Sequence, residues 1–160
     1  MAIKEGDKLP EAQVMEMADG KPAQVSLAEI SKGKRIVVFA VPGAFTPTCS
    51  MKHLPGFVEQ AEAIRKKGVA EIACLAVNDA FVMDAWGKHS GAAGKVRMLA
   101  DGNGTFTRAL GLTLDGSGFG LGERSQRYAM IVRDGVVEKL FLEPAGGLNV
   151  SSAESVLAAL

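Results

Sequence analysis

The stretch RIVVFAVPGAFTPTCS, residues 35–50, passes from a continuous apolar run into two prolines, two threonines and one cysteine. Residues 35–41 show no polar alternation, the mark of a strand covered on both faces. Pro42 and Gly43 break that run, and a helical pattern follows from Thr46 to about Lys67. With Thr46 as N-cap, Pro47 falls at the first helical position, where its missing N–H costs nothing and its fixed φ suits a helix. Cys49 then lies inside the first turn. Unpaired backbone N–H groups and the positive end of the helix dipole crowd that turn, so a thiol placed there is expected to ionise. Pro42 and Pro47 fix the backbone around this one side chain more firmly than helix initiation requires.

The rest of the chain supplies the frame. AQVMEMA (12–18) alternates like a strand before the turn residues DGKP, and SLAEISKGK reads as a short capped helix ended by Gly33. Phe57, Ala61 and Ile64 form an apolar stripe on the helix after Cys49, and Pro55 predicts that its opening turns are set at an angle to the remainder. VAEIACLAVN (69–78) is a second apolar strand, DAFVMDAWGKHS (79–90) a helix capped near Asp79, and KVRMLAD a third strand. GNGTFTRALG makes a short helix, residues 127–143 a hairpin across Asp134-Gly135, and VSSAESVLAAL a closing helix capped by Ser151 or Ser152. The loop 111–125 is rich in glycine but lacks the spacing of a phosphate loop and reads as a flexible connection. Together these predict an α/β fold, a central mixed β-sheet flanked by helices on both faces, with Cys49 at a carboxyl edge of the sheet where such folds place their sites.

A chain of 160 residues suffices for one domain with its own core, so residues 1–160 are read as a single domain. Eighteen basic residues balance eighteen acidic ones, which leaves no electrostatic footprint for nucleic acid or a charged membrane as partner. The opening MAIKEGDKLPEAQV has no hydrophobic signal core, so a cytoplasmic protein is the expectation.

Two cysteines, Cys49 and Cys74, leave each thiol either inert core filler or reactive. Position 52 is lysine, so the Cys-x-x-Cys motif of dithiol oxidoreductases is missing, and zinc finds too few ligands; no metal and no cofactor is expected. His53, four residues after Cys49, could serve as a hydrolase base but reads better as a polar face residue, and His89 as an exposed histidine in a last helical turn. An activated thiolate with a hydroxyl neighbour, Thr46, fits attack on a peroxide oxygen to give a sulfenic acid. Such a step needs donors for charge on the departing oxygen, and Arg127 could supply them from a strand end near a cleft. Taken alone, Arg127 reads as an ordinary strand-end arginine. Alternatives to a peroxidase are a cysteine hydrolase using His53 and a non-catalytic redox-sensing thiol module.

Pro42, Thr46 and Cys49 in PGAFTPTCS, with Arg127 in RSQRY, resemble the active site of the peroxiredoxins, closest to the atypical type II, peroxiredoxin-five-like group. The resemblance continues in order through SMKHLPGF, LAVNDAFVMDAWGK, LADGNGTFTRALGL, RYAMIVRDGVV and VSSAE. It implies a thioredoxin-like fold and a thiol peroxidase for hydrogen peroxide and organic hydroperoxides. Under it, Cys49 is the peroxidatic nucleophile, Thr46 hydrogen-bonds thiolate and peroxide, Pro42 shields the sulfur, and Arg127 steadies the thiolate and polarises the O–O bond. It also implies a homodimer, with Trp86, Phe81 and Phe45 in the core or at a subunit contact. Some members carry a resolving cysteine in a stretch resembling GGLNVSSAE, where this chain has Val150. Cys74 lies in mid-strand, as in related enzymes, and reads as a packed core thiol. A one-cysteine cycle with glutathione or glutaredoxin as reductant is expected; the alternative is a Cys49–Cys74 disulfide reduced by thioredoxin.

Overall fold

Along the chain the elements run β1 (Val14–Ala18), β2 (Lys21–Val25), α1 (Leu27–Ile30), β3 (Arg35–Val41), α2 (Leu54–Lys66), β4 (Glu71–Ala76) and α3 (Ala80–His89). There follow β5 (Arg97–Ala100), α4 (Thr105–Leu110), β6 (Thr113–Asp115), β7 (Glu123–Ser125), β8 (Tyr128–Arg133), β9 (Val136–Leu142) and α5 (Ala153–Ala159). They come from a computed structural model that describes residues 2–144 and 147–160; Met1, Ala145 and Gly146, the last of which opens GGLNVSSAE, lie outside the described residues.

Seven strands form one sheet in the order β2-β1-β5-β4-β3-β8-β9. The central neighbours β3, β4 and β5 are parallel, and β8 returns antiparallel to β3. The sheet is therefore mixed, as the sequence predicts. Side chains alternate across it. Val37, Phe39 and Val41 of β3 face a core shared with Phe57, Ile64, Met83, Trp86 and Val156 from α2, α3 and α5. Ile36, Val38 and Ala40 face the other core, with Leu27, Phe106 and Leu110 from α1 and α4. Burial on both sides explains why β3 has no polar position after Arg35. Gly87 lets α3 lie close to β5, since a Cβ there would meet Met98 Cγ at 2.5 Å.

Local signals set the ends of these elements. Asp79 caps α3 by accepting from the Val82 N–H at 2.8 Å, and Ser152 caps α5 by accepting from the Ser155 N–H at 3.2 Å. Asp134 and Gly135 both take positive φ, 48° and 77°, as a two-residue hairpin turn requires. Strand β2 was not foreseen: KPAQV contains Pro22, which is tolerated because β2 is an edge strand. Residues 111–125 are not a mere flexible connection. They hold the β6–β7 hairpin, with a short turn of 3₁₀ helix at Ser117–Phe119 in its loop.

The helix carrying Cys49 starts at Pro47, with the Ser50 N–H bonded to Thr46 O at 2.9 Å. Residues Cys49–His53 are wound as a π-helix, and the Leu54 N–H reaches back five residues to Cys49 O. Pro55 cannot donate a backbone bond, and the break expected before it takes this form of a widened turn.

Candidate active site

The parallel strands β3 and β4 end at the same edge of the sheet, so the segments leaving them meet. The Ala44 N–H donates to Asn78 Oδ1 at 3.0 Å, tying the segment after β3 to the one after β4. The Thr46 hydroxyl donates to Gly43 O at 2.7 Å, and the Arg124 guanidinium reaches Pro42 O at 3.4 Å. With its proton given to the backbone, the Thr46 oxygen keeps lone pairs free to accept a hydrogen bond. Phe45 lies between these anchors with φ of 62°, a conformation costly for a bulky residue and held by the bonds on either side.

The register of β8 on β3 pairs Tyr128 with Ala40 and so brings Arg127 to the same edge. Its Nη2 donates to Cys49 Sγ at 3.1 Å and its Nη1 to His53 Nδ1 at 2.9 Å. Cys49 is fully buried and Arg127 nearly so. The guanidinium, almost excluded from solvent, thus places a charged donor 3.1 Å from the sulfur at the helix start. The sequence placed Cys49 correctly; only the fold joins it to Arg127.

His53 is not the polar face residue that the sequence suggested. It is buried, with its ring 5.0 Å from Phe39 and 5.6 Å from Phe57 between centroids. Its Nε2 lies 2.9 Å from Ser151 O, a pure acceptor, and its Nδ1 faces Arg127, a pure donor. One neutral tautomer satisfies both, with the proton on Nε2. Burial pushes the imidazole down to about 4, against the Ser151 carbonyl and with the help of the Arg127 charge. With its lone pair given to Arg127, His53 cannot take a proton from Cys49, which removes the geometry of a hydrolase pair. The signal was present in the sequence: His53 extends the apolar stripe Phe57–Ala61–Ile64 back by one turn. His89 ends α3 as an exposed residue, as expected.

Glu143 and Ser151 belong to this assembly and carried no local signal. Glu143 Oε2 accepts from the N–H groups of Asn149, Val150 and Ser151 and from the Ser151 hydroxyl, all within 2.9 Å. Burial opposes its charge, but these donors outweigh it and hold the carboxyl below its usual range. The carboxylate thus fixes the segment whose carbonyl orients His53. Replacing Glu143 by alanine strands four donors and is expected to cost about 2–3 kcal/mol, roughly 5–10 °C in Tm for a chain of this size, which calorimetry checks.

Beside the guanidinium opens a cavity of about 630 Å³ lined by Pro42, Thr48 and Arg127 and, from the β6–β7 hairpin and its loop, by Leu114, Phe119 and Leu121. Cys74 sits fully buried in β4, paired in register with Phe39. Burial pushes its thiol well up, the Cys49 sulfur adds to this and Arg127 opposes it, so Cys74 is a protonated core thiol. Both cysteines are free. The buried Trp86 donates from Nε1 to Ser50 Oγ at 2.8 Å, next to Cys49 in sequence.

A mixed sheet that delivers a buried cysteine at a helix start beneath an arginine defines a thiol-redox protein, and the chain belongs to the Redoxin family, whose model matches residues 4–157. Within that family it is a peroxiredoxin of the type II, peroxiredoxin-five-like group, with a thioredoxin-like fold, and so a thiol-dependent peroxidase. It is 50% identical to chloroplastic Peroxiredoxin-2E of Arabidopsis thaliana over 163 residues, covering 99% of this chain and 70% of that protein. Reduced Prx3 of Vibrio vulnificus in complex with hydrogen peroxide superposes with a TM-score of 0.94 at 49% identity, covering 98% of each chain. Peroxiredoxin 5 of Alvinella pompejana gives 0.86 at 37% identity, over 98% of this chain and 97% of that one.

Proposed function

We propose that the peroxidase reduces hydrogen peroxide and organic hydroperoxides by a one-cysteine cycle in the cytoplasm, with glutathione or glutaredoxin as reductant. The observation that supports this best is the Arg127 fork, which holds Cys49 Sγ at 3.1 Å while Cys74 stays buried and protonated in β4. The Cys49 thiolate attacks one peroxide oxygen and the O–O bond breaks. The sulfur is oxidised to a sulfenic acid, and the departing oxygen leaves as water or an alcohol once it gains a proton. Arg127 meets charge developing on that oxygen, Thr46 accepts the peroxide O–H, and Pro42 limits access to the sulfur. The apolar wall of Leu114, Phe119 and Leu121 suits the organic part of a hydroperoxide. A thiol then displaces hydroxide from the sulfenic sulfur to give a mixed disulfide, and a second thiol releases Cys49.

Val150 stands where a resolving cysteine would be needed for an internal disulfide near the carboxyl end. A homodimer accords with the large apolar side chains left exposed at Phe45, Met51, Phe81 and Phe119. Sedimentation at micromolar concentration checks it, a monomer being the contrary result.

Cys74→Ser is expected to keep more than half of the turnover supported by glutaredoxin. Single turnover with one equivalent of peroxide, read by whole-protein mass with a sulfenic-acid trap, should label Cys49. A rapid Cys49–Cys74 disulfide in the unaltered chain, or loss of most turnover in Cys74→Ser, assigns resolution to Cys74 instead.

A further inference from the structure

The hairpin β6–β7 and its loop line the cavity beside Arg127, and one side chain ties them to the segment leading into the thiol. Arg124, half-buried on β7, donates from Nε to Leu121 O at 2.9 Å and from Nη1 to Pro42 O at 3.4 Å. Leu121 and Pro42 both line the cavity, so this one guanidinium joins two of its lining segments. Gly43 makes the approach possible: a Cβ there would lie 2.9 Å from Arg124 Nη1. Among the described residues the hairpin loop bonds within itself, through Gly116 N–H to Gly122 O at 2.7 Å, Leu121 N–H to Gly116 O at 3.0 Å and Ser117 N–H to Asp115 Oδ1 at 2.9 Å, while Glu123 of β7 accepts from Arg108 Nε of α4 at 2.6 Å, away from the Pro42 segment.

We propose that Arg124 is a positioning residue for hydroperoxides with an apolar body, setting the spacing between the hairpin wall and the Pro42 side of the cavity. The inference rests on organic hydroperoxides being substrates that fill this cavity. Redundancy decides which substrates feel the loss of Arg124. The segment 42–46 keeps two anchors without it, Thr46 on Gly43 O and Asn78 on the Ala44 N–H. Hydrogen peroxide has no body to lean on the wall and needs only the Cys49–Arg127 end. A bulky hydroperoxide needs Leu114, Phe119 and Leu121 at a fixed distance, because a misplacement of the reacting oxygen by about 1 Å costs on the order of a hundredfold in rate.

The test is stopped-flow oxidation of the reduced chain by hydrogen peroxide and by cumene hydroperoxide, followed through the fluorescence of Trp86. Arg124→Met keeps the apolar stem and removes both bonds. It is expected to leave the hydrogen peroxide rate constant within about threefold while lowering that for cumene hydroperoxide tenfold or more. Binding of cumyl alcohol, the product without its O–O bond, should weaken by a similar factor. Arg124→Lys, which can reach one carbonyl but not both, should fall between. Equal loss for both peroxides would make Arg124 a structural support of the whole site, and an unchanged ratio would make it irrelevant to selection; each overturns the inference and leaves the peroxidase standing. An unaltered chain that fails to react with cumene hydroperoxide overturns the substrate reading and the inference with it.

Discussion

Arg127→Gln is expected to slow oxidation of Cys49 by hydrogen peroxide by a factor of about a hundred to a thousand, the usual loss when a preorganised donor to a developing charge is removed. The guanidinium has two tasks that one planar group can perform together. Nη2 lies against the sulfur and Nη1 against His53, so the fork is oriented by the imidazole before any substrate arrives. Glutamine is neutral and shorter, so it stabilises neither the thiolate nor the departing oxygen. Lysine restores the charge but, as a point charge on a flexible stem, not the fork. Arg127→Lys should therefore recover part of the rate and remain at least about tenfold below the unaltered chain. Stopped-flow kinetics under excess peroxide measures both, and near-ultraviolet circular dichroism shows whether the site has kept its packing. A Gln variant that reacts within about threefold of the unaltered chain would remove Arg127 from the chemistry.

The second large effect concerns acid. Folded His53 titrates at about 4, whereas an unfolded histidine titrates near 6.5. Between those values the unfolded chain binds the extra proton, so stability rises with pH in this window. Above about pH 7 the term vanishes. As pH falls through 6.5 it costs progressively more, and below 4 it saturates at about 3 kcal/mol, being roughly 2.5 pH units at 1.36 kcal/mol each. Denaturant titrations from pH 7.5 to 4 should show this loss. His53→Gln is the decisive comparison, because its amide offers one donor for Ser151 O and one acceptor for Arg127 without titrating. The slope between pH 6.5 and 4 should flatten in that variant, while peroxidase activity at pH 7 stays within about tenfold. An unchanged slope would place the acid sensitivity elsewhere.

How much of this was legible in advance follows from the range of the forces involved. The apolar run Ile36–Val41, the turn Asp134-Gly135 and the caps Asp79 and Ser152 are short-range facts, written within a few residues of where they act. The same holds for Cys49 at the helix start, since Thr46 and Pro47 lie within one turn of it. The strand β2 hid behind Pro22, which forbids a central strand but not an edge one, and only the sheet order reveals which is meant. The β6–β7 hairpin hid among glycines, because pairing there is made by backbone bonds that glycine does not advertise.

What the sequence by itself determined is a cysteine at a helix start and the strands that carry it there, because propensity, capping and patterning act locally. What only the tertiary structure decided is the company that thiol keeps. Arg127 reaches Cys49 across 78 residues through the register of β8 on β3, and Ser151 reaches His53 across 98 residues through the segment that Glu143 holds. Read alone, His53 was a surface histidine and Arg127 a strand-end cation. Burial in one low-dielectric edge of the sheet fixes the histidine in a single neutral tautomer, and that neutrality leaves the arginine's charge for the sulfur.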